Sequence, residues 1–193
     1  MTPEPPLAPG RGILPPMRSL PAAGLFLCLA ACAASPPPHW EQGGAPLAVG
    51  PARWTRADDD AIEILPNGTV QENGSLLFVV DRAGRVVDED NDPVAILLPD
   101  GQLAGPNDHY LGRVGVSNAS PPGATAAWLS ILPNGQMLTY SPDGDREPAG
   151  VWTGCNGPTR RTCTLVAHLV QMRRYQNRPR GGVGVGIGIG IGY

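Results

Sequence analysis

From Leu47 to Tyr140 the chain alternates short apolar runs with turn signals. The runs are four to eight residues long and rich in Val, Ile, Leu and Tyr, which suits strands better than helices. They predict strands over Leu47–Trp54, Ala61–Leu65, Leu76–Val80, Arg85–Val87, Val94–Leu98, Tyr110–Val116, Ala126–Leu132, Gln136–Tyr140 and Val151–Cys155. One five-residue phrase recurs: Ile64-Leu65-Pro66-Asn67-Gly68, Leu97-Leu98-Pro99-Asp100-Gly101 and Ile131-Leu132-Pro133-Asn134-Gly135. Its prolines lie 33 and then 34 residues apart, and Ser141-Pro142-Asp143-Gly144 is a shorter copy. Pro presets the first central turn angle, Asn or Asp suits the second, and Gly takes the left-handed position that follows. That is a type I turn closing into a bulge, a common three-residue hairpin loop. Asp81-Arg82-Ala83-Gly84 reads as a further hairpin. The fold class expected is all-β: a small antiparallel meander closing as a sandwich or barrel, with a disordered N-terminal tether and a Gly-rich C-terminal tail.

Two segments sit outside that pattern. Cys163–Tyr175, CTLVAHLVQMRRY, reads either as a strand continuing from Val151–Cys155 or as a helix with Leu165, Leu169 and Met172 on one face. The strand is the reading adopted for its first half. Gly181–Tyr193 alternates Gly with Val or Ile, which disfavours a helix, and reads as a low-complexity tail.

Composition adds modest information. Gly (26) and Pro (23) make up about a quarter of the 193 residues, and aromatics are only 5%. Charge is more telling. Glu41–Glu147 holds 16 acidic residues and 6 Arg, whereas Pro148–Tyr193 holds 6 Arg and no acid. Arg160, Arg161, Arg173, Arg174, Arg178 and Arg180 therefore form a basic end on an acidic body, and they are candidates for binding an anionic surface.

The N-terminal region carries the most specific signal. Arg18 precedes an uncharged run, Leu20–Ala34, which is short for a transmembrane helix and ends in small residues. Leu29-Ala30-Ala31-Cys32 resembles the lipobox of bacterial lipoprotein precursors. The resemblance implies cleavage before Cys32, diacylation of its thiol, and loss of Cys28 with the leader. Ala33 in place of Asp implies the outer membrane. Met1–Pro16 is proline-rich and ill suited to a signal helix, so translation is expected to start at Met17. The expected organisation is a leader over 1–31, a tether over 32–45, an all-β domain over 46–175 and an Arg/Gly-rich tail over 176–193. The two remaining cysteines, Cys155 and Cys163, read as a disulfide in an exported chain.

Catalytic chemistry is hard to find. Asp88, Asp90 and Asp92 imitate the start of a calcium loop, but Pro93 and Pro99 stand where its Gly and Glu belong. They remain a weak metal candidate beside the plainer reading of a solvated loop. No nucleophile elbow, zinc helix or phosphate loop is present, and no cofactor is implied. The expectation is a non-catalytic envelope lipoprotein, a binding or assembly module held to a membrane through lipidated Cys32. Its partner would be an anionic envelope component or a protein, and not nucleic acid. The alternative is a lipid-anchored hydrolase using Asp residues with His109 or His168. Cys32→Ser is expected to move the protein from the membrane fraction to the soluble fraction; a variant that remains membrane-bound and normally processed would refute the lipobox reading.

Overall fold

The computed structural model describes residues 34–56 and 60–177; Cys32, Asp58, Asp59, Arg178, Arg180 and the Gly-rich run lie outside them. The described chain forms twelve antiparallel strands in sequence order: β1 (Ala52–Thr55), β2 (Ala61–Ile64), β3 (Thr69–Glu72), β4 (Ser75–Val80), β5 (Arg85–Val87), β6 (Pro93–Leu97), β7 (Gln102–Gly105), β8 (His109–Val114), β9 (Asn118–Ser120), β10 (Leu129–Ile131), β11 (Gln136–Tyr140) and β12 (Arg146–Thr153). Each pairs with the next, and β1 pairs with β12, so the sheet closes as a barrel. One helix, α1 (Arg160–Gln176), follows.

The recurring phrase marks every second hairpin, and the structural period is half as long. The buried residue before each tight turn is Ile64, Val80, Leu97, Val114 and Ile131, at spacings of 16, 17, 17 and 17 residues. After the turn come Val70, Val86, Leu103, Ala119 and Met137, also buried. The turns share one geometry. Leu65 N–H donates to Thr69 O at 2.8 Å, and the side-chain oxygen of Asn67 accepts from Thr69 N–H at 3.1 Å. Asp100 and Asn134 repeat that contact to Gln102 and Gln136. Each turn also locks to the following hairpin: Gly68, Gly84 and Gly101 carbonyls accept from Val80, Leu97 and Val114 at 2.7–2.9 Å. At Gly68 the φ is +90° and a Cβ would lie 2.0 Å from Val80 O, so no side chain fits.

Strands β3, β7 and β9 are absent from the expected set. They read TVQE, QLAG and NAS, too polar or too small to register as apolar runs. Sheet closure, which places one or two of their residues inside, makes them strands.

The larger correction is α1. Cys163–Tyr175 is helical throughout, not a strand. Nine consecutive residues, Thr162–Val170, are buried, which covers every side of a helix. A helix apolar all round is one surrounded by protein, and here it runs along the barrel interior. Its contacts progress from one end to the other. Thr162 donates to Ala48 O at 2.8 Å and Thr164 to Val116 O at 2.9 Å; further along, Arg174 reaches Glu72 at 3.1 Å. The strand reading failed because helix interior and strand interior share one composition when nothing is solvent-facing.

The barrel therefore has two ends. The tight turns lie at the end where α1 enters, called the turn end. The connections at 73–74, 88–92, 106–108, 121–128 and 141–145 lie at the other, the loop end, together with Arg56 and Asp60. The seam between β1 and β12 is closed by Trp54 stacked on Trp152, with centroids 5.6 Å apart. Cys155, just after β12, is disulfide-bonded to Cys163 in the first turns of α1, with Cα atoms 6.0 Å apart. That closed loop joins the last strand to the helix and is worth about 2–3 kcal/mol.

Residues 34–50 lie along the barrel rather than away from it: Gly44 N–H donates to Ala83 O at 2.7 Å, Ala45 N–H to Leu97 O at 2.6 Å, and Ala45 is fully buried. Leu165→Ala, which empties a fully buried position on α1, is expected to lower unfolding free energy by about 2–5 kcal/mol in urea denaturation.

Candidate functional site

Polar chemistry inside the barrel centres on His168. The repeat would place an inward side chain at position 112, after Ile62, Phe78 and Ala95 and before Leu129. It has Gly112, with φ +115°, and a Cβ there would meet the His168 ring at 3.0 Å. The β7–β8 pairing shifts register between Leu103↔Gly112 and Ala104↔Tyr110, leaving Leu111 as the extra residue of a bulge. The Leu111 carbonyl accepts from His168 Nε2 at 2.9 Å, and Trp128 Nε1–H donates to His168 Nδ1 at 3.0 Å. Because an indole N–H can only donate, Nε2 carries the proton and the ring is neutral. Burial lowers its pKa from 6.5 to about 4, against a smaller upward pull from the Leu111 carbonyl.

This histidine is thus a fully satisfied structural group. Among the described residues no carboxylate bonds to it or to His109, so the hydrolase alternative gains no paired acid and base. Asp88 also has a local role. Its Oδ1 accepts from Asp90 N–H at 3.0 Å and from Asp92 N–H at 2.9 Å, capping its own turn. Among the described residues no group of three His, Cys, Asp or Glu side chains is placed to hold a metal.

The basic end divides. Arg174 leaves the loop end of the lumen and pairs with Glu72 and Asp60, which also hold the buried Arg56. Arg56 in turn lies 5.7 Å over the Trp54 ring. Arg160 and Arg161 sit in the first turn of α1, roughly 20 Å away along the helix axis. The six arginines expected to act together do not form one surface; Arg173 and Arg174 are at one end, Arg160 and Arg161 at the other, and Arg178 and Arg180 are outside the described residues.

At the turn end Arg161 faces a shallow groove of about 320 Å³, lined among others by Asp100, Arg113, Val116, Asn118 and Ser120. The groove exists because β9 is three residues long and the β8–β9 turn is tight, with Gly115 N–H donating to Asn118 O at 2.8 Å. Arg113 leans on the Asp100 carbonyl at 3.2 Å. The Nε atoms of Arg160 and Arg161 are buried without a hydrogen-bond partner. The helix start adds to the positive field: α1 has no side-chain cap and no acid in its first turn. Two arginines beside a positive helix end are unfavourable by some tenths of a kcal/mol each. A negative group in the groove would relieve that.

Val116, 60% exposed, forms an apolar lip of the groove. Sequence reading selected Arg161 by charge count but missed Asn118 and Ser120, which lie on the three-residue β9 with no apolar signal, and Arg113, which lies on an expected strand but was not marked as a site residue.

Comparison of the chain with known protein families, with curated proteins and with solved structures found no match.

The pKa of His168 sets an acid sensitivity. A base with a depressed folded pKa contributes full stability above its unfolded value of 6.5 and loses it as pH falls to about 4. The loss is about 3 kcal/mol. Replacing the imidazole in His168→Gln, whose amide can still donate to Leu111 O, is expected to remove this component. Urea titrations of the two proteins at a series of pH values should show the wild type losing that much more stability than the variant.

Proposed function

We propose that the chain is an exported, non-catalytic module, anchored to the outer membrane through lipidated Cys32, that holds an anionic envelope partner in the turn-end groove. The observation that carries this reading is the pairing of a filled lumen with a cationic groove. The helix occupies the space where a barrel of this size would take a ligand, which leaves the ends and the outer wall. The outer wall offers little: its charged pairs, such as Arg53 with Glu63, satisfy one another. The groove presents two guanidinium groups, an amide and a hydroxyl around a helix N-terminus, with one carboxylate, Asp100, whose Oδ1 accepts from Gln102 N–H. That set matches the oxygen geometry of phosphate or carboxylate, which arginine binds through a planar fork. The lipobox supplies the location, and an acidic body argues against nucleic acid as the partner.

The test is binding of inorganic polyphosphate and of poly-glutamate to the mature chain made soluble by Cys32→Ser, at low salt. The double variant Arg113→Gln, Arg161→Gln is expected to bind at least about tenfold more weakly, a loss of about 1.4 kcal/mol or more. Arg173→Gln, at the far end of the helix, should leave binding unchanged. Equal affinities for all three proteins would overturn the assignment of the groove.

A further inference from the structure

The chain approaches the barrel from one definite side. Ser35 N–H donates to the Asn107 side-chain oxygen at 2.9 Å, and Asn107 N–H donates back to Ser35 O at 2.9 Å. Asn107 belongs to the connection between β7 and β8, at the loop end. From there residues 36–44 cross the outer wall to the turn end, where Arg85 bonds Trp40 O and Gly44 bonds Ala83. This strap accounts for two residues that face outward yet are buried: Ile96 at 0% exposure, close to Gly44, and Ala104, its cross-strand neighbour, at 5%.

The strap changes the meaning of the anchor. Cys32 precedes Ser35 by three residues, so whatever their conformation the two Cα atoms are at most about 11 Å apart. No free spacer is left between a lipid on Cys32 and the loop end. Helix α1 also ends there, with Arg174 on Glu72. Among the described residues the loop end is acidic: Asp60 and Glu72 are paired with Arg56 and Arg174, and Asp88, Asp92, Asp108 and Asp143 add to them.

We propose that the loop end is a membrane-docking face: the barrel stands end-on on the lipid surface, its carboxylates resting among amine-bearing zwitterionic headgroups, and the turn-end groove points away. The proposal rests on the reading of Cys32 as lipidated. Charged residues around the rim keep the face at headgroup level instead of within the hydrocarbon. The groove is thereby presented at the far side of the barrel from the membrane.

The experiment uses the lipidated mature chain, beginning at Cys32, in vesicles of phosphatidylethanolamine and phosphatidylcholine containing nitroxide-labelled headgroups. Two exposed positions receive a fluorophore in separate proteins, Asp143→Cys at the loop end and Pro99→Cys at the turn end. With Cys32 acylated and Cys155 bonded to Cys163, the introduced thiol is the one available for labelling. Quenching is expected to be several-fold stronger at position 143 than at 99. Equal quenching, or the reverse order, in protein whose intact mass carries the lipid overturns the docking face alone. Absence of the lipid from the mass overturns the anchor and the docking face together.

Discussion

A closed ring of twelve strands is too wide to fill with its own side chains, and the rest of the structure follows from that. Strands about 4.8 Å apart and tilted by 35–45° give a ring radius of about 12 Å. Inward side chains reach about 6 Å, which leaves an empty core some 10–12 Å across, the width of one α-helix with its side chains. Helix α1 supplies it. The dependence is mutual, since CTLVAHLV has no polar face and would not be stable in water alone. The disulfide sits where the chain turns from the wall into the lumen, so the loop that must reverse direction is closed covalently.

Filling the core with a helix creates a hydrogen-bonding problem, and the bulges address it. Each bulge frees one wall residue from the ladder. Leu111 is one, and its carbonyl receives His168. Ala149 is another, in the β11–β12 pairing, and its carbonyl receives Trp54 Nε1–H at 2.8 Å. The same repeat position holds Leu77 and Val94 in earlier hairpins, where the side chain only packs on the core. In the next unit, 17 residues after Leu111, it holds Trp128, which donates to the other side of His168. One structural repeat thus carries apolar packing in its first copies and a polar keystone in its later ones. The keystone fixes the rotation of α1 about its axis through two hydrogen bonds on opposite sides of the imidazole, which packs against Gly112.

The hairpins were legible because their turn residues act locally: Pro, Asn and Gly impose angles whatever surrounds them. The period was read as twice its value because alternate turns use other residues for the same geometry. Asp81 caps its turn through Ala83 and Arg85, and the Val114–Asn118 turn has no proline at all. Strands β3, β7 and β9 and the helix were not legible, because their identity comes from closure, which is a non-local event. The strap was hidden for a similar reason. Pro36–Pro38 and Gly43-Gly44 have the composition of a linker, and only the apolar Ile96 and Ala104 on the outer wall give them something to cover. Of the groove, the sequence showed Arg161 through charge asymmetry; Asn118 and Ser120 became its neighbours only when the short polar strand β9 joined the ring beside Arg113.

The two ends of the barrel are electrically unlike, and the helix explains part of the difference. Its dipole is positive at the turn end and negative at the loop end. Arg173 and Arg174 in the last turn complement the negative end, and Arg174 shares Asp60 and Glu72 with the buried Arg56, so the far rim is tied to the helix by charge as well as packing. At the near end the same logic would call for an acid, and Arg160 and Arg161 stand there instead. Stability alone gives no reason to place two cations on a positive pole with their Nε atoms out of reach of any acceptor. Proteins tolerate such local conflict where a ligand resolves it, and the conflict here coincides with the groove. The filled lumen and the helix field therefore lead to the same place: the turn end combines the positive pole of α1, two arginines and a groove.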